Sequence, residues 1–299
     1  MTDIICAICG KNQQTRILYP ATFKKGNISA HTYSARRLPD KLHYRFLKCD
    51  KCGLIFSSPI LEQAKIISLY KKSSCNYKDQ IPYAIKTYLK IFKRIGSFLP
   101  KKTRVLEVGC GNGFFLNSLK KQGFDNVYGI EPSSEMVSKT DKNIRLNIKT
   151  DIFRKNQFSK DYFDAICCFH TLDHMIDPNE FINESYKILK KGGYAIVVVH
   201  DTNGLSVKLF GERSPIFDLE HIYLFNKKTL KEIFMRHRFE VMDVFNVVNT
   251  YPFSYWIRMS GIPLVLKKII DKILKVSNLS KVNLSLAGGN ICIIARKLV

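Results

Sequence analysis

The sequence lacks long hydrophobic runs and does not begin like a secreted protein. None of its apolar stretches approaches the roughly 18 to 20 residues that cross a bilayer. No basic segment followed by an apolar stretch opens the chain, as a secretory leader requires. Intrinsic disorder is also excluded, because 45% of the 299 residues are apolar and 12% are aromatic. We therefore expect a folded cytoplasmic chain with one large and one small domain, or two medium ones.

Acidic residues are scarce relative to basic ones. The chain has 25 Asp and Glu against 48 Lys and Arg, a net charge of +23. Residues 1–100 contribute +13, residues 101–200 only +3, and residues 201–299 +7. Such an excess indicates a polyanionic or membrane-surface partner, or it reflects the Lys-rich composition that A/T-rich coding produces. Both interpretations stay open, but the excess lies mainly outside the middle third.

The cysteines near the N-terminus have the spacing of a metal site. In a cytoplasmic chain, cysteines serve as metal ligands or buried thiols more often than as disulfides. Four of the nine form two Cys-x-x-Cys pairs that can supply a tetrahedral Zn²⁺ site: Cys6, Cys9, Cys49 and Cys52. A glycine follows each pair, Gly10 and Gly53, and glycine tolerates the positive φ of a zinc-binding turn. The pattern predicts a closed structural zinc site, with a redox dithiol as the alternative.

The segment between the two cysteine pairs predicts a small hairpin. Residues 31–34 and 42–47 alternate in the period of two that is typical of strands. We therefore predict a zinc ribbon over residues 1–62 and a larger domain over residues 63–299. The remaining cysteines show no ligand spacing and are expected to be core thiols or unassigned: Cys75, Cys110, Cys167, Cys168 and Cys292.

A glycine-rich turn follows a predicted strand in the middle third of the chain. Residues 104–108 predict a strand, which leads through Gly109, Gly111 and Gly113 into a helix. A dinucleotide-binding turn requires a later glycine, where this chain has Phe114. An acid, Glu107, precedes the turn and would repel a pyrophosphate, whereas it suits a cationic ligand. Glu131 ends the next predicted strand, where a carboxylate can accept hydrogen bonds from a ribose.

These residues resemble the class I S-adenosylmethionine-dependent methyltransferases. The resemblance continues in order through residues 151–152, 163–170, 172–178 and 189–197. It implies an α/β fold with a doubly wound, seven-stranded Rossmann-like sheet, whose final strand at residues 289–297 runs antiparallel at the sheet edge. It also implies S-adenosylmethionine as cofactor and a set of cofactor-binding residues: Glu107, Gly109, Cys110, Gly111, Gly113, Glu131, Pro132, Asp151, Ile152, Phe169 and His170.

Candidate catalytic residues follow the fourth and fifth strands and the next loop. Ligands of open α/β sheets bind beyond the carboxyl ends of the strands, which favours His170, His200, Glu220 and His221 as acid–base groups. The Glu-His pair is similar to that of zinc-containing sugar C-methyltransferases, a resemblance that implies His221 as the base. Those enzymes share the two cysteine pairs but carry an additional C-terminal domain, which we do not expect within these 299 residues. His174 is expected to pack or cap instead.

An insertion before the last strand combines basic and aromatic residues. Within residues 251–285, residues 263–276 predict a basic amphipathic helix. Its apolar stripe is either buried in the domain or lies on a membrane surface near a lipid-linked acceptor. Four aromatic residues before this helix are candidates for the wall of an acceptor pocket: Tyr251, Phe253, Tyr255 and Trp256.

The sequence favours a cytoplasmic methyltransferase, peripheral to the membrane if the helix binds lipid. The expected acceptor is a small or carrier-linked molecule, most plausibly a sugar or surface-glycan intermediate. An RNA methyltransferase that holds nucleic acid with its zinc ribbon and basic N-terminal third is the first alternative. The chain has Phe169-His170-Thr171-Leu172 where amino-directed nucleic-acid methyltransferases carry an Asn/Asp-Pro-Pro-aromatic signature. A non-catalytic cofactor-fold binding module is the second alternative.

Overall fold

The computed structural model describes residues 1–11, 14–23, 28–33, 39–73, 78–96, 99–277 and 279–298 of the chain. The description does not include the side chains of His31 and Lys78, and Cys75 lies outside the described residues. The strands are β1 (Thr15–Tyr19), β2 (Phe46–Cys49), β3 (Ile55–Ser57), β4 (Val105–Val108), β5 (Val127–Ile130), β6 (Ile148–Lys149), β7 (Phe163–Phe169), β8 (Leu189–His200), β9 (Tyr223–Leu224), β10 (Phe239–Asn246), β11 (Asn249–Pro252), β12 (Asn283–Leu286) and β13 (Asn290–Lys297).

Ten α-helices are described between these strands. They are α1 (Gln63–Lys71), α2 (Ile81–Gly96), α3 (Phe114–Lys121), α4 (Ser134–Ser138), α5 (Lys142–Arg145), α6 (Pro178–Ile188), α7 (Leu205–Phe210), α8 (Lys227–Arg236), α9 (Phe253–Met259) and α10 (Leu264–Val276). Several begin at polar caps that the sequence supplies. The side chain of Asp177 accepts from the Glu180 N–H at the start of α6, and Asn226 forms a capping box with Thr229 at the start of α8.

The main sheet has seven strands in the order β10-β13-β8-β7-β4-β5-β6. The strands β4, β5, β6, β7 and β8 are parallel to one another. Strand β13 lies between β8 and β10 and runs antiparallel to both. Helices alternate with these strands along the chain, so the doubly wound, Rossmann-like α/β fold that the sequence predicts is confirmed. One detail was wrong. The antiparallel final strand is not at the edge of the sheet, because β10 pairs along its outer side.

Apolar runs explain why the central strands lie inside. Every residue of β4 is buried, as are five consecutive residues at the end of β7 and five within β8. A parallel strand covered by helices on both faces needs such continuous hydrophobic runs. Since these strands form a rigid centre, the polar residues that follow them are held at fixed places along one edge.

The cysteine-rich segment forms a second sheet that incorporates a strand of the larger domain. Its four strands have the order β1-β2-β3-β9, and the last pair joins Ile55 to Leu224 and Phe56 to Tyr223. The same hydrophobic core includes buried residues of both regions, such as Cys6 and Phe225. The division at residues 62 and 63 stays a prediction.

The predicted hairpin between the cysteine pairs was only partly right. Residues 30–33 form a 3-10 helix rather than a strand, and Ser34 of that prediction lies outside the described residues. The second predicted strand begins at Phe46, four residues later than predicted. In the 3-10 turn the buried Thr32 and Tyr33 are adjacent in sequence, so burial of both neighbours overrides the alternation on which the prediction rests.

The insertion before the last strand forms a small unit of its own. Strands β11 and β12 pair antiparallel, and helices α9 and α10 lie between them in sequence. Of the apolar side chains of α10, Leu274 is buried, whereas six others are exposed: Leu264, Val265, Leu266, Ile269, Ile273 and Val276. Of the two interpretations of this stripe, burial in the domain is therefore wrong. Among the described residues, no helix combines the length and hydrophobicity needed to span a bilayer.

Candidate active site

A cleft of about 740 Å³ opens at the carboxyl ends of the central parallel strands. It is bordered by residues that directly follow β4, β5 and β7, by the last residue of β8, and by the aromatic residues of the insertion. This is the edge at which open α/β sheets bind ligands. This cleft is bordered by all the residues that the sequence predicts for the cofactor, for acid–base chemistry and for the acceptor wall, with the exception of Gly113.

The glycine turn between β4 and α3 has a backbone that favours glycine at each predicted position. The φ angles of Gly109, Gly111 and Gly113 are +76°, +55° and +70°, in the left-handed region that disfavours a Cβ. A Cβ on Gly109 would lie 2.2 Å from Thr171 Oγ1, and one on Gly113 would lie 2.7 Å from Ile144 Cδ1. Gly109, Cys110 and Gly111 border the cleft, whereas Gly113 packs behind it as the cap of α3.

Two of the predicted cofactor-binding residues are carboxylates that lie at one end of the cleft. Glu107 on β4 is buried, and its Oε2 atom has no hydrogen-bond partner among the described residues. Glu131 accepts hydrogen bonds from the Gly111 N–H and the Ser133 N–H, both at 2.9 Å. Burial raises the pKa of both carboxyls, and the charge of Glu131 raises the pKa of Glu107 further. A cationic ligand at this place would relieve that cost.

The other predicted cofactor residues also border the cleft, with one difference in detail. Pro132, Ile152 and Phe169 line it, and the ring of Phe169 stacks on Tyr88 with 4.1 Å between centroids. Asp151 also lies at the cleft, but it pairs with Arg154 and accepts from Gln157 Nε2 at 3.2 Å. The hydrogen bond from Arg154 lowers the pKa of Asp151 despite the opposing effect of its partial burial.

Four histidines cluster around one buried aspartate at the other end of the cleft. Asp173 is completely buried, and its Oδ2 atom lies 2.6 Å from His200 Nδ1. The ring of His200 is 4.9 Å from that of His170 and 4.5 Å from that of His221. Burial by itself would raise the pKa of Asp173, but the hydrogen bond and charge of His200 outweigh it and lower the pKa. Asp173 therefore stays ionised and holds the His200 ring in place.

His221 and Glu220 are buried in the loop before β9, next to the histidine cluster. His221 Nδ1 lies 2.7 Å from the Ile216 carbonyl oxygen, so Nδ1 carries the proton and Nε2 keeps its lone pair. Burial lowers the pKa of His221 well below its ordinary value, and the neighbouring His200 and His174 lower it further. His221 is thus neutral at neutral pH. His174, expected to pack or cap, lies in the same cluster, with its Nδ1 3.0 Å from Tyr70 Oη.

The four predicted metal-ligand cysteines converge near the turn that joins β2 to β3 in the second sheet. The Sγ atoms of Cys6, Cys9, Cys49 and Cys52 lie within 4.8 Å of one another. The Cys9 N–H donates to Cys6 Sγ at 3.4 Å, and the Leu54 N–H donates to Cys52 Sγ at 3.5 Å. The two glycines that follow the pairs have φ angles of +80° and +82°, as predicted for a metal-binding turn.

Comparison with known families agrees with this geometry. A family model described as a methyltransferase domain matches residues 77–244. The chain belongs to this methyltransferase-domain family. The match includes the glycine turn, both cleft carboxylates and the histidine cluster, so the cleft of this methyltransferase domain is the place where cofactor and acceptor are expected to meet.

Individual relatives share the domain but differ in their acceptors. The tRNA U34 carboxymethyltransferase of Sulfurovum sp. (strain NBC37-1) is 26% identical over 151 residues, covering 48% of this chain and 50% of the relative. Phosphoethanolamine N-methyltransferase 2 of Caenorhabditis elegans is 29% identical over 154 residues, covering 48% of this chain and 33% of the relative. The chain spans half or less of the length of these two relatives.

A solved structure supports the fold. The S-adenosylmethionine-dependent methyltransferase of Thermotoga maritima, described as a possible histamine N-methyltransferase, aligns with a TM-score of 0.51 at 22% identity. The alignment covers 74% of this chain and 92% of that one. At this identity the likeness establishes the architecture of the methyltransferase domain and leaves the acceptor open.

Sequence reasoning missed several residues of the site. Asp173 lies in the segment 172–178 of the resemblance, which assigns it no role, although it is the centre of the histidine cluster. Tyr70 and Tyr88 also border the cleft, yet each follows a helical apolar pattern that predicts a core position. One sequence signal could have identified Asp173, namely its position between His170 and His174. A buried acid close to histidines stays charged when they pair with it.

Proposed function

We propose that this chain transfers a methyl group from S-adenosylmethionine to a small or carrier-linked acceptor, with a sugar or surface-glycan intermediate as the favoured class. One observation carries the proposal. A single cleft joins the carboxylates Glu107 and Glu131 to the Asp173–His200 pair. Its first end suits a cationic cofactor, and its second end suits removal of a proton from an acceptor.

The residues at the first end fit S-adenosylmethionine. The buried carboxylate of Glu107 has an oxygen without a hydrogen-bond partner among the described residues, which suits the positive groups of this cofactor. Glu131 uses one lone pair on each oxygen for a main-chain N–H and keeps the others for ribose hydroxyls. When bound, the cofactor supplies a methyl group that its sulfonium has already activated.

The second end supports a general base. Asp173 Oδ2 accepts from His200 Nδ1, which leaves Nε2 of His200 to take a proton from an acceptor hydroxyl or amine. A positioned base of this kind accelerates a reaction by roughly 10²- to 10⁴-fold, and the fixed orientation of the acceptor adds to this. His170, His221 and Glu220 lie around this pair and are proposed as further acid–base or acceptor-contacting groups.

The insertion supports an acceptor carried at a membrane surface. Tyr251, Tyr255 and Trp256 form a contiguous aromatic group at the cleft, a surface suited to the face of a sugar ring. The exposed apolar side chains of α10 alternate with exposed lysines, Lys268, Lys272 and Lys275. A helix with this pattern lies in the headgroup region of anionic lipids. We propose that α10 rests on such a surface, so that the protein is cytoplasmic and peripheral.

The four-cysteine cluster is proposed to hold a structural zinc ion. Zn–S bonds of about 2.3 Å in a tetrahedron separate the sulfurs by about 3.8 Å, and Cys6 Sγ lies 3.5 Å from Cys52 Sγ. Protein purified without chelator should carry zinc that is lost in the Cys9→Ser and Cys52→Ser variant. Cys292→Ala, which alters a buried thiol outside the cluster, should keep the metal. Retention of all zinc by the double serine variant would refute this assignment.

Titration calorimetry and a transfer assay test the main proposal. Wild-type protein should bind S-adenosylmethionine, and Gly111→Arg should not. Labelled cofactor and fractionated extract (glycan precursors, RNA, protein and lipid) should then yield labelled product in the glycan fraction. His200→Gln should lower the transfer rate by roughly 10²- to 10⁴-fold without loss of cofactor affinity, while His237→Gln, outside the cleft, should not. The proposal would be refuted if folded wild-type protein did not bind S-adenosylmethionine.

RNA methylation is the second candidate, and two observations favour it. The carboxymethyltransferase relative acts on tRNA, and residues 1–100 of this chain carry a net charge of +13. This candidate predicts label in the RNA fraction and binding whose log K falls by roughly one unit per decade of salt for each phosphate contact. Cofactor binding without label in any fraction would instead favour a non-catalytic binding module.

A further inference from the structure

Asp173 presents two oxygen atoms to different surroundings. Oδ2 accepts hydrogen bonds from His200, whose Nδ1 is 2.6 Å away and whose N–H is 3.3 Å away. Oδ1 is buried and has no hydrogen-bond partner among the described residues. A buried charged oxygen without a hydrogen-bond partner is costly, so this atom suits a bound cation.

Two histidine rings lie beside Oδ1, and each is held through its other nitrogen. His174 Nε2 is 3.8 Å from Asp173 Oδ1, and its Nδ1 lies 3.0 Å from Tyr70 Oη. His221 Nδ1 lies 2.7 Å from the Ile216 carbonyl oxygen. One ligand atom from each of Asp173, His174 and His221 falls within 4.8 Å of the others. Metal-binding histidines are oriented in this way, with the second nitrogen donating to an oxygen.

A competing set around the same aspartate fits a metal less well. His170, Asp173 and His200 also lie close together. However, Asp173 Oδ2 and His200 Nδ1 are only 2.6 Å apart, whereas two ligands at right angles on an ion with bonds of about 2.1 Å lie roughly 3.0 Å apart. His200 therefore acts as the partner that orients Asp173, and the metal-ligand set is the other one.

We propose that Asp173 Oδ1, His174 Nε2 and His221 Nε2 bind a divalent transition-metal ion such as Zn²⁺ or Co²⁺ at the acceptor end of the cleft. Two histidines and one carboxylate form a facial ligand set that leaves coordination positions open. These positions face a cleft that His174 and His221 themselves border. The inference rests on the proposed function, because it makes the open positions the place where an oxygen of the acceptor binds.

The metal would divide three histidines of the cluster between two tasks. His174 and His221 hold the ion, and Asp173 joins it to His200 through its second oxygen. An acceptor hydroxyl on the ion would become more acidic. Its proton would pass to His200 Nε2, and the electron pair left on its oxygen would form the bond to the methyl carbon. The S–CH₃ bond of S-adenosylmethionine would break in the same step, and the sulfur would keep the electrons of that bond. The site thus differs from the cysteine cluster in ligands, place and role.

Metal counting on the full-length chain tests the inference. Purified protein is loaded with Co²⁺ alone, dialysed, and analysed for cobalt and for the sulfur-to-metal absorption that only the cysteine cluster produces. Wild-type protein should retain two ions per chain. His174→Gln and His221→Gln should retain one, with the sulfur absorption unchanged. His237→Gln, whose histidine bonds Asn179 and Asn183 away from the cleft, is the matched control and should retain two.

The outcomes separate this inference from the proposed function. One ion per chain in wild-type protein, or two in both His174→Gln and His221→Gln, overturns the metal site. Circular dichroism tests whether each variant is folded. If one of the two variants is unfolded, the metal content of the other tests the inference. Calorimetry with S-adenosylmethionine on the same samples reports on the cofactor end. If wild-type protein binds S-adenosylmethionine but retains a single metal ion, only the metal-site inference is refuted. If it retains two ions but does not bind S-adenosylmethionine, only the methyl-transfer proposal is refuted.

Discussion

The Ser57 hydroxyl donates a 2.8 Å hydrogen bond to the main-chain carbonyl of His221, across 164 positions of sequence. The neighbouring Ser57 N–H donates to the Ile222 carbonyl, also at 2.8 Å. Both bonds are buried and lie where β3 of the cysteine-rich sheet meets the loop before β9. The N-terminal segment therefore supports the loop that carries His221, so its role extends to the geometry of the histidine cluster.

Removal of this bond should affect catalysis as well as stability. In Ser57→Ala, the His221 carbonyl loses one partner, which costs about 1 kcal/mol of the free energy of unfolding. Because the loop loses support, we expect a lower kcat at unchanged affinity for S-adenosylmethionine. Chemical denaturation and initial rates measure the two effects. Ser138→Ala removes a similar bond at the surface and should leave kcat alone. Wild-type kcat in a destabilised Ser57→Ala protein would assign Ser57 a structural role only.

The glycine turn should tolerate no side chain at Gly109. An alanine there would adopt a left-handed conformation, at a cost of roughly 1–2 kcal/mol, and its Cβ would overlap Thr171. We expect Gly109→Ala to weaken cofactor binding at least about tenfold. Gly123→Ala is the matched control, since φ there is +87° but the nearest atom to a Cβ is Lys101 Cδ at 3.7 Å. Equal cofactor affinities in the two variants would argue against a turn shaped for the ligand.

Glu107 should lower the stability of the ligand-free protein as the pH rises. Burial, followed by the charge of Glu131, raises the pKa of Glu107 above its ordinary 4.5. Above that pH the unfolded chain releases its proton while the folded protein still binds one, so stability falls as pH rises toward the folded pKa, by at most about 1.4 kcal/mol per pH unit. Glu107→Gln should therefore gain stability relative to wild type between pH 5 and pH 8, as denaturation curves can measure.

The same substitution should weaken cofactor binding. A hydrogen bond to a charged group contributes about 1.5–3 kcal/mol, which predicts a loss of roughly tenfold to a hundredfold in affinity for S-adenosylmethionine. Glu135→Gln, which removes an exposed carboxylate paired with Lys139, should change neither property. A Glu107→Gln protein that is less stable at pH 8 than wild type would contradict the assignment of Glu107 as a buried, uncompensated acid.

Helix α10 should bring the protein to anionic membranes. Ile269 and Ile273 are 51% and 60% exposed on its apolar stripe. We expect wild-type protein to sediment with vesicles that contain phosphatidylglycerol, and binding to weaken with salt because the lysines contribute electrostatically. Replacement of both isoleucines by aspartate should abolish this. Leu146→Asp changes a leucine that is 97% exposed elsewhere and should bind as wild type does. If the double aspartate variant and Leu146→Asp bound the vesicles equally well, α10 would have no role in membrane binding.

Local patterns in the sequence determined much of the fold and one half of the cleft. The glycines at positions 109, 111 and 113, the acids before and after them, and the two cysteine pairs are short-range signals. They work because a turn or a strand end is specified by a few neighbouring residues. The alternation of strands and helices likewise predicts a doubly wound sheet without reference to distant contacts.

Only the tertiary structure decided how the other half is built. His170 and His174 follow β7 together with Asp173, and His200 ends the parallel neighbour β8, so these residues meet where the carboxyl ends of parallel strands converge. His221 reaches the same cluster from the loop before β9 of the other sheet. The pairing of β3 with β9 depends on residues more than 160 positions apart. An amphipathic pattern likewise predicts the stripe on α10 but not what covers it, since exposure is a property of the packed chain. Local sequence patterns thus predict the end of the cleft that contains Glu107 and Glu131, whereas long-range packing determines the end that contains the histidines.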